Sequence, residues 1–300
     1  MREKCEWVKN EQDHLRRALV LEPRGHADMH AALLTEPASP ASHAGLIFMD
    51  NDGYGPMCGH AVIAVATIAL ERGLLMPGGD GRTIVFDTPA GPVRAVATWK
   101  GRRVERVAFE NAPSFVLHGG LSVTLGVRQL RADVAFGGAF YAIVDGEAVG
   151  VPLDAAHVPE LRRIGMDIRH AIEFGRTVAH PLEPGLNGLA GTVFTGPPHS
   201  HEADLRNVTV FAEAQVDQSP CGNATAAVMA VVDAMGLLGH DKPFVHESLI
   251  GTLFEGRVSG RTAVGDYEAI VPEISGAAWI TGDHTFFIDD EDPLKDGFRL

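Results

Sequence analysis

The sequence predicts an α+β fold built from two similar halves, and three observations carry this prediction. Short strand-like runs separated by turn residues occupy most of the chain. Each half also contains one long apolar helix that a cysteine precedes. The two cysteine-helix stretches match without a gap at an offset of 163 residues, the separation of Cys58 and Cys221 (221 − 58). We therefore expect an old duplication of one α+β unit.

In the first half, residues 2–19 are predicted to form a helix because apolar residues recur among many charges. From about residue 18 to residue 50, Pro and Gly break the chain into short strands. The runs TIVFDTP, GPVRAVATW and VERVAFENA are predicted strands, and the stretches GGDGRT and TWKGRR are predicted hairpin turns. We assign residues 1–122 and 285–300 to this half, which carries Cys58.

The second half, residues 123–284, carries Cys221. Strands are predicted in ADVAFGGAFYAIVDGEAVGV, in GTVFTGPP and in NVTVFAEAQV. Residues 154–176 are predicted to be helical. The stretch GRVSGRTAVGDYEAIVPEISGAAWITGDHTFFI is predicted to form a closing meander of strands. Both halves thus combine many short strands with few helices.

The repeat is a match between GPMCGHAVIAVATIALERGLL and the stretch around Cys221. A glycine directly follows each cysteine. A second glycine, followed by Leu-Leu, lies fifteen residues after each cysteine. The helices predicted over 59–72 and 222–235 are apolar on almost every side, which is typical of centrally buried helices. A pseudo-two-fold relation between the halves would aim both cysteines at one point.

Cysteine at the N-terminus of a helix has a chemical meaning. The unpaired N–H groups and the positive end of the helix dipole stabilise a thiolate. The same N–H groups can hold a substrate carboxylate, and a glycine lets the ligand approach the backbone closely. With one sulfur on each face of a carbon, one thiolate can remove a proton while the opposite thiol supplies one. This pattern predicts stereochemical inversion; inert apolar packing of the cysteines is the alternative.

Composition and charge exclude several classes of partner. The chain has a net charge of −14 and 45% hydrophobic residues, which favours a globular protein over one that binds nucleic acid or an anionic membrane. The longest apolar run, residues 61–70, has ten residues including one threonine, and the first twenty residues do not resemble a signal peptide. Three cysteines, with Cys5 incidental, fit a reducing compartment. We expect a cytoplasmic monomer or homodimer that acts on a small molecule.

No metal and no organic cofactor are expected. His26, Asp28 and His30 alternate in the stretch RGHADMH and would lie on one face of a strand, but no further ligands are evident. The sequence Cys58-Gly59-His60 does not have a standard zinc spacing.

The stretches MCGHAVIAVAT and DQSPCGNATAA resemble the two cysteine motifs of the proline racemase and 4-hydroxyproline epimerase family. PRGHADM, DTPAGPVRA, GGAFYAIVD, TGPP, HESLIGT and AWITG are similar to that family too, so the likeness covers almost the whole chain. It implies a diaminopimelate-epimerase-like fold of two pseudo-symmetric halves, each a curled, mostly antiparallel sheet around a central helix. It also implies an imino acid substrate and catalysis without a cofactor.

The resemblance further implies roles for individual residues. Cys58 and Cys221 would be the two acid/base catalysts, and Asp217 with His60 would hold the ring nitrogen. The remaining expected contacts are the carboxylate-binding backbone N–H groups of Gly59, His60, Gly222 and Asn223, the ring wall Phe211, and His30 at a ring hydroxyl. The resemblance therefore implies a racemase or epimerase of 4-hydroxyproline or proline.

Three departures from the family pattern keep alternatives open. Asn223 and Ala224 replace Thr and Gly after the second cysteine, and His30 stands where an aromatic residue is usual. The family opens with a strand that carries a His-Thr-x-Gly-Glu motif, and this sequence begins at the helix that follows it, through either a misplaced gene start or a true loss of the strand. One alternative is a trans-3-hydroxy-L-proline dehydratase, a class that typically replaces one cysteine. The other is a non-catalytic or redox protein that binds an imino acid.

Overall fold

The computed structural model describes residues 1–79, 81–239 and 242–299, and these residues form two compact units. Unit 1 contains the chain up to Phe109 together with the residues from Ala277 onward, and unit 2 runs from Glu110 to Gly276. The boundaries predicted from the sequence lie further along the chain, after residues 122 and 284. The first boundary differs because residues 115–125 form a strand that pairs within unit 2.

Unit 1 begins with two helices. In the part of the unit that the structure describes, three strands, one long helix and three further strands follow. Its elements are α1 (Arg2–Glu11), α2 (Asp13–Val20), β1 (His30–Thr35), β2 (Ala44–Asp50), β3 (Tyr54–Gly55), α3 (Gly59–Glu71), β4 (Thr83–Thr88), β5 (Gly91–Lys100) and β6 (Arg103–Glu110). The helix predicted over residues 2–19 is confirmed, with an interruption at Gln12. Asp80, in the predicted turn GGDGRT, lies outside the described residues.

Unit 2 contains eight strands among its described residues. Its elements are β7 (Phe115–Leu125), β8 (Arg128–Phe136), β9 (Phe140–Asp145), α4 (Gly146–Val149), α5 (Val158–Gly175), β10 (Leu189–Gly196), β11 (Leu205–Phe211), α6 (Gly222–Ala234), β12 (Phe244–Glu247), β13 (Leu253–Val264) and β14 (Tyr267–Gly276). The predicted meander continues only to Gly276. The apolar stretch from Ala277 to Ile288 forms no strand, which corrects that prediction.

A five-strand pattern occurs in both units. In unit 1 the strand order is β1-β2-β4-β5-β6, and in unit 2 the corresponding order is β10-β11-β12-β13-β14. In each set the second and third strands are parallel and all other neighbours are antiparallel. A parallel pair needs a crossover connection, and here the crossovers contain α3 and α6, the two helices of the sequence repeat. The duplication is therefore visible in the topology as well as in the sequence.

The sheet of unit 2 curls around its central helix. Ser114, just before β7, forms an antiparallel bridge with Ile270 of β14, with N–H···O distances of 2.7 and 3.0 Å. The first and last strands of the unit are thus joined. Helix α6 packs against β7, β8, β9, β13 and β14, whereas α5 lies against β10, β11 and β7. This arrangement is the predicted curled sheet around a central helix.

The two repeated helices also end in the same way. Gly73 and Gly236 have φ of +65° and +71°, a conformation that glycine adopts without a Cβ penalty. At each end the glycine N–H bonds to a carbonyl three residues earlier, and the following leucine N–H bonds to a carbonyl five residues earlier, at 2.9 Å for Leu74 and 3.0 Å for Leu237. These are Schellman motifs, and they account for the repeated Gly-Leu-Leu.

The burial of the two helices differs. In α6 all the residues from Ala224 to Val231 are buried, as the sequence predicted. Helix α3 buries one side, including Val62 and Ala66, but exposes Ile68 by 40%. None of the described helices combines the length and the apolar character that a membrane-spanning helix needs.

Candidate active site

Cys58 immediately precedes α3 in unit 1, as the sequence predicted. Its backbone is extended, with φ of −142° and ψ of 109°, so no strain is involved. The N–H of Val62 donates to the Cys58 carbonyl at 3.0 Å, and this is the first hydrogen bond of the helix. The N–H groups of Gly59 and His60 therefore come before the helical ladder, at the positive end of the helix dipole.

Two imidazole rings accompany the Cys58 sulfur. The Nε2 atom of His60 lies 3.3 Å from Cys58 Sγ. The ring of His30, the first residue of β1, meets the His60 ring edge to face, with centroids 4.7 Å apart. One ligand-type atom from each of these three residues lies within 4.8 Å of the others.

The histidine motif before β1 differs from its prediction. His26 and Asp28 precede the strand, and Asp28 has φ of +64°, so the alternating strand face does not exist there. His30 instead joins Cys58 and His60, which come from a different part of the chain.

Cys221 occupies the equivalent position before α6 in unit 2, but its backbone is different. It has φ of +60° with ψ of 117°, a sparsely populated positive-φ conformation that costs a residue with a side chain about 1–3 kcal/mol. Ser219 supports this conformation, because the Cys221 N–H donates to Ser219 Oγ at 3.1 Å. The N–H of Ser219 in turn donates to Asp217 Oδ1 at 2.8 Å. Asp217 and Cys221 are thus tied to the same serine.

The segment between β11 and α6 contains the other predicted residues of unit 2. Asp217 is 3% exposed, and its N–H donates to the Thr209 carbonyl at 3.1 Å. Phe211 ends β11, and its N–H donates to the Gln215 carbonyl at 2.8 Å. Phe211, Asp217 and Cys221 therefore lie along one folded-back segment. Gly222 and Asn223 follow as the first residues of α6.

A tyrosine and a pair of glycines complete the surroundings of Cys221. The hydroxyl of Tyr141 lies 3.9 Å from Cys221 Sγ, and both side chains are buried. A Cβ on Gly137 would lie 2.2 Å from the Asn223 carbonyl oxygen, and one on Gly138 would lie 2.9 Å from Asn223 Oδ1. The double glycine therefore allows the β8–β9 turn to contact the first turn of α6. The motif GGAFYAIVD contained this signal, but sequence reasoning did not assign it to the cysteine.

A buried polar network behind Cys221 was also missed. Asn207 Nδ2 donates to the Pro220 carbonyl at 2.7 Å and to His246 Nδ1 at 3.1 Å. Thr225 Oγ1 lies 2.9 Å from the same Nδ1. Complete burial lowers the pKa of His246 to about 3, so the ring is neutral. The network fixes the peptide that leads into Cys221.

The structure thus gathers the predicted site residues into two groups, one in each unit. The first group consists of His30, Cys58, Gly59 and His60, and the second of Phe211, Asp217, Cys221, Gly222 and Asn223. Cys5 lies apart, buried in α1, and burial raises the pKa of its thiol. A raised pKa disfavours the reactive thiolate, in agreement with its prediction as incidental.

Comparisons with known proteins relate the chain to one enzyme family. A family model described as proline racemase matches residues 1–299. A trans-3-hydroxy-L-proline dehydratase of Bacillus thuringiensis subsp. konkukian (strain 97-27) is 44% identical over 288 residues, which cover 96% of this chain and 86% of that protein. A proline racemase of Clostridioides difficile is 38% identical over 301 residues, which cover 100% and 90% of the two chains.

A solved structure gives the same result for the fold. The hydroxyproline epimerase from Agrobacterium vitis, with bound trans-4-OH-L-proline, superimposes with a TM-score of 0.86 at 30% identity. The match covers 99% of this chain and 86% of that chain. The predicted α+β fold of the diaminopimelate-epimerase type is confirmed. These relatives are a dehydratase, a racemase and an epimerase, so they do not distinguish isomerisation from dehydration.

Proposed function

The chain belongs to the proline racemase family, and from this premise we propose that it is a cofactor-independent racemase or epimerase that inverts the α-carbon of 4-hydroxyproline or proline. One observation carries the proposal. In the five-strand pattern that the two units share, the crossover helix begins directly after a cysteine each time. Two equivalent acid/base groups are what inversion requires, because a proton must leave from one face and arrive on the other.

In the proposed reaction one cysteine acts as a thiolate and the other as a thiol. The thiolate takes the α-proton, and the electron pair of the broken C–H bond delocalises into the substrate carboxylate. The thiol then gives its proton to the opposite face of the planar carbon, so each turnover exchanges the roles of the two sulfurs. Cys58 and Cys221 are the pair, and the reverse reaction uses them in the opposite order.

The remaining groups would bind and orient the substrate. We assign the carboxylate to the backbone N–H groups of Gly59, His60, Gly222 and Asn223, because the first N–H groups of a helix favour an anion. Asp217 and His60 would hold the ring nitrogen, Phe211 would contact the ring, and His30 would meet a ring hydroxyl. The side chains of Asn223 and Ala224 do not compete with this role, because the proposed donors belong to the backbone.

A second candidate function has specific support. The relative with 44% identity is named a trans-3-hydroxy-L-proline dehydratase. In that reaction a single base removes the α-proton, the 3-hydroxyl leaves as water with a proton from an acid, and the resulting enamine tautomerises to a cyclic imine. The presence of two equivalent cysteines favours inversion over this reaction, since dehydration needs one cysteine and a different acid.

The experiment that separates these reactions uses heavy water. The protein is incubated with L-proline, trans-4-hydroxy-L-proline or trans-3-hydroxy-L-proline, and the products are followed by NMR. Inversion with one deuterium at the α-carbon supports the epimerase, and formation of a cyclic imine supports the dehydratase. If no α-hydrogen exchanges with any of the three compounds, the proposed function is refuted.

Serine variants test the two cysteines individually. Cys58→Ser and Cys221→Ser should each nearly abolish inversion, because a hydroxyl is far too weak an acid to replace a thiol near neutral pH. Each variant retains one thiol and should slowly exchange the α-hydrogen of one enantiomer only, with opposite preferences in the two variants. Cys5→Ser is the matched control and should invert substrate at the wild-type rate. Inversion at that rate by either of the first two variants would contradict the two-base mechanism.

A planar inhibitor tests the location of the site. Pyrrole-2-carboxylate has the flat geometry of the proposed carbanion and should slow alkylation of both Cys58 and Cys221. Peptide mass spectrometry after iodoacetamide treatment reports each cysteine separately. Alkylation of these thiols at unchanged rates with saturating inhibitor would place the binding site elsewhere.

A further inference from the structure

We propose that His30, Cys58 and His60 form a binding site for Zn²⁺. The bound ion would coordinate the Cys58 sulfur and so prevent it from transferring a proton. One thiolate and two neutral imidazoles are a ligand set that zinc accepts, with a fourth position left for water. The inhibitory part of this proposal rests on the proposed function. The binding part rests on the geometry of unit 1 alone.

The first argument is distance. In a tetrahedral zinc site with Zn–S of about 2.3 Å and Zn–N of about 2.05 Å, ligand atoms lie about 3.3–3.6 Å apart. Cys58 Sγ and His60 Nε2 are already 3.3 Å apart. All three ligand atoms lie within 4.8 Å of one another, so the most distant pair needs to close by only about 1.2–1.5 Å. Rotation of the imidazole rings can supply this movement, because the χ2 torsion of histidine has a broad minimum.

The second argument is the independent placement of the ligands. Cys58 and His60 lie at the start of α3, whereas His30 begins β1 and reaches the group from the sheet. A single strand or helix turn could bring such residues together by spacing alone, but this cluster requires the tertiary fold. The three residues are each partly exposed, although His30 Nε2 is buried.

The third argument is chemical. Zinc prefers cysteine sulfur and histidine nitrogen, and it binds the deprotonated thiol. On binding, the S–H bond of Cys58 breaks, a Zn–S bond forms, and the proton passes to solvent. The sulfur lone pair is then held by the metal and cannot take a proton from carbon. Zinc should therefore act as a reversible inhibitor that a chelator removes.

Direct binding is measured on protein that has been stripped with a chelator and kept under a phosphine reductant. Zn²⁺ is titrated in competition with a chromophoric chelator, and one ion per chain is expected. Cys58→Ser and His30→Phe should each weaken binding by at least about 10- to 100-fold. Phenylalanine keeps the ring of residue 30 but removes its nitrogens. Cys221→Ser is the matched control and should bind zinc as the wild type does.

Co²⁺ provides a spectroscopic signature. Bound cobalt should show a thiolate-to-metal charge-transfer band that disappears in Cys58→Ser and persists in Cys221→Ser. A further measurement on the wild-type protein requires no variant: Zn²⁺ should slow iodoacetamide alkylation of Cys58 at least about 10-fold and leave the rate for Cys221 unchanged. Circular dichroism checks that each variant is folded.

The results distinguish the site from the proposed function. Equal zinc affinity in the wild type and in both ligand variants, or unprotected Cys58 in the presence of zinc, would overturn the proposed site. If the protein inverts proline or hydroxyproline, zinc should abolish that activity and a chelator should restore it; activity at saturating zinc would overturn the inhibitory role. If zinc protects Cys58 but no substrate exchanges its α-hydrogen, the metal site stands and the proposed function fails.

Discussion

The fully buried His246 makes a sharp prediction about acid stability. Its Nδ1 accepts from Asn207, so a proton cannot be added at this atom without loss of that hydrogen bond. The pKa is about 3 in the folded protein and 6.5 in an ordinary environment. The unfolded chain therefore binds a proton as pH falls below 6.5, while the folded protein does not. Linkage requires the stability to fall over the window from pH 6.5 to pH 3.

The magnitude follows from these two values. Each pH unit well inside the window lowers the free energy of unfolding by about 1.4 kcal/mol. Between pH 7.5 and pH 4.5 this single histidine should therefore remove roughly 2.5 kcal/mol. That loss is a large fraction of the stability of a typical folded protein, which is about 5–15 kcal/mol.

The test compares the wild type with His246→Asn. Asparagine places an oxygen acceptor near the position of Nδ1, so Asn207 and Thr225 keep a partner, but the new side chain does not titrate. Urea unfolding at pH 7.5, 6.5, 5.5 and 4.5 gives the free energy of unfolding for each protein. Other titrating groups contribute equally to both, including His180, whose pKa burial also lowers. Hence the difference between the two proteins isolates residue 246.

We expect the variant to be less stable at pH 7.5 and to lose this disadvantage progressively toward pH 4.5. The two curves should approach each other by roughly 2.5 kcal/mol over that range. Parallel curves would mean either that His246 is protonated in the folded protein or that the segment around it does not unfold in the measured transition. Either result would refute the reasoning.

Three further predictions concern packing in unit 2, and urea unfolding measures all of them. Gly137→Ala should lower the free energy of unfolding by at least about 2 kcal/mol, since the new Cβ would lie 2.5 Å from the backbone nitrogen of Ala227 in α6. Gly175→Ala is the control: its Cβ would meet no atom within 4 Å, so this variant should be neutral or mildly stabilising. Ala214→Gly should stabilise by about 0.5–1 kcal/mol, because Ala214 has φ of +61°; an unchanged or lower stability would contradict the strain. Glu247→Gln should cost about 3 kcal/mol, because it leaves buried Arg206 without the carboxylate 3.1 Å away; a loss below about 1 kcal/mol would contradict this.

Repeated features of the fold were predictable because local chemistry determines them. The helices predicted over 59–72 and 222–235 end directly before the glycine of Gly-Leu-Leu, and a left-handed glycine with a Schellman motif is a local solution that needs no distant partner. The apolar runs that come directly after Cys58 and Cys221 predicted in the same way that each cysteine lies at the start of a helix. The sequence could therefore position both cysteines on their helices correctly.

Other features were not predictable because they depend on contacts between distant segments. Residue spacing placed His30 in an alternating motif with His26, the family resemblance placed it at the substrate, and the ring contact with His60 comes from the fold. His246 lies in a short strand, and nothing in its sequence neighbourhood indicates that Asn207 donates to its ring or that Thr225 Oγ1 lies 2.9 Å from the same nitrogen. The apolar composition after Gly276 predicted further strands, but strand formation needs a partner as well as a pattern.

The two cysteines have equivalent positions in topology but not in backbone conformation. Cys58 enters its helix from an extended backbone at no conformational cost, whereas Cys221 holds φ of +60°. Such strain persists only where the surroundings over-determine it. Here Ser219 accepts from the Cys221 N–H, and Asn207 donates to the carbonyl of the preceding Pro220. The two residues are therefore positioned by different means: Cys58 by the helix and the neighbouring imidazoles, and Cys221 by hydrogen bonds that hold both the C=O and the N–H of the Pro220–Cys221 peptide.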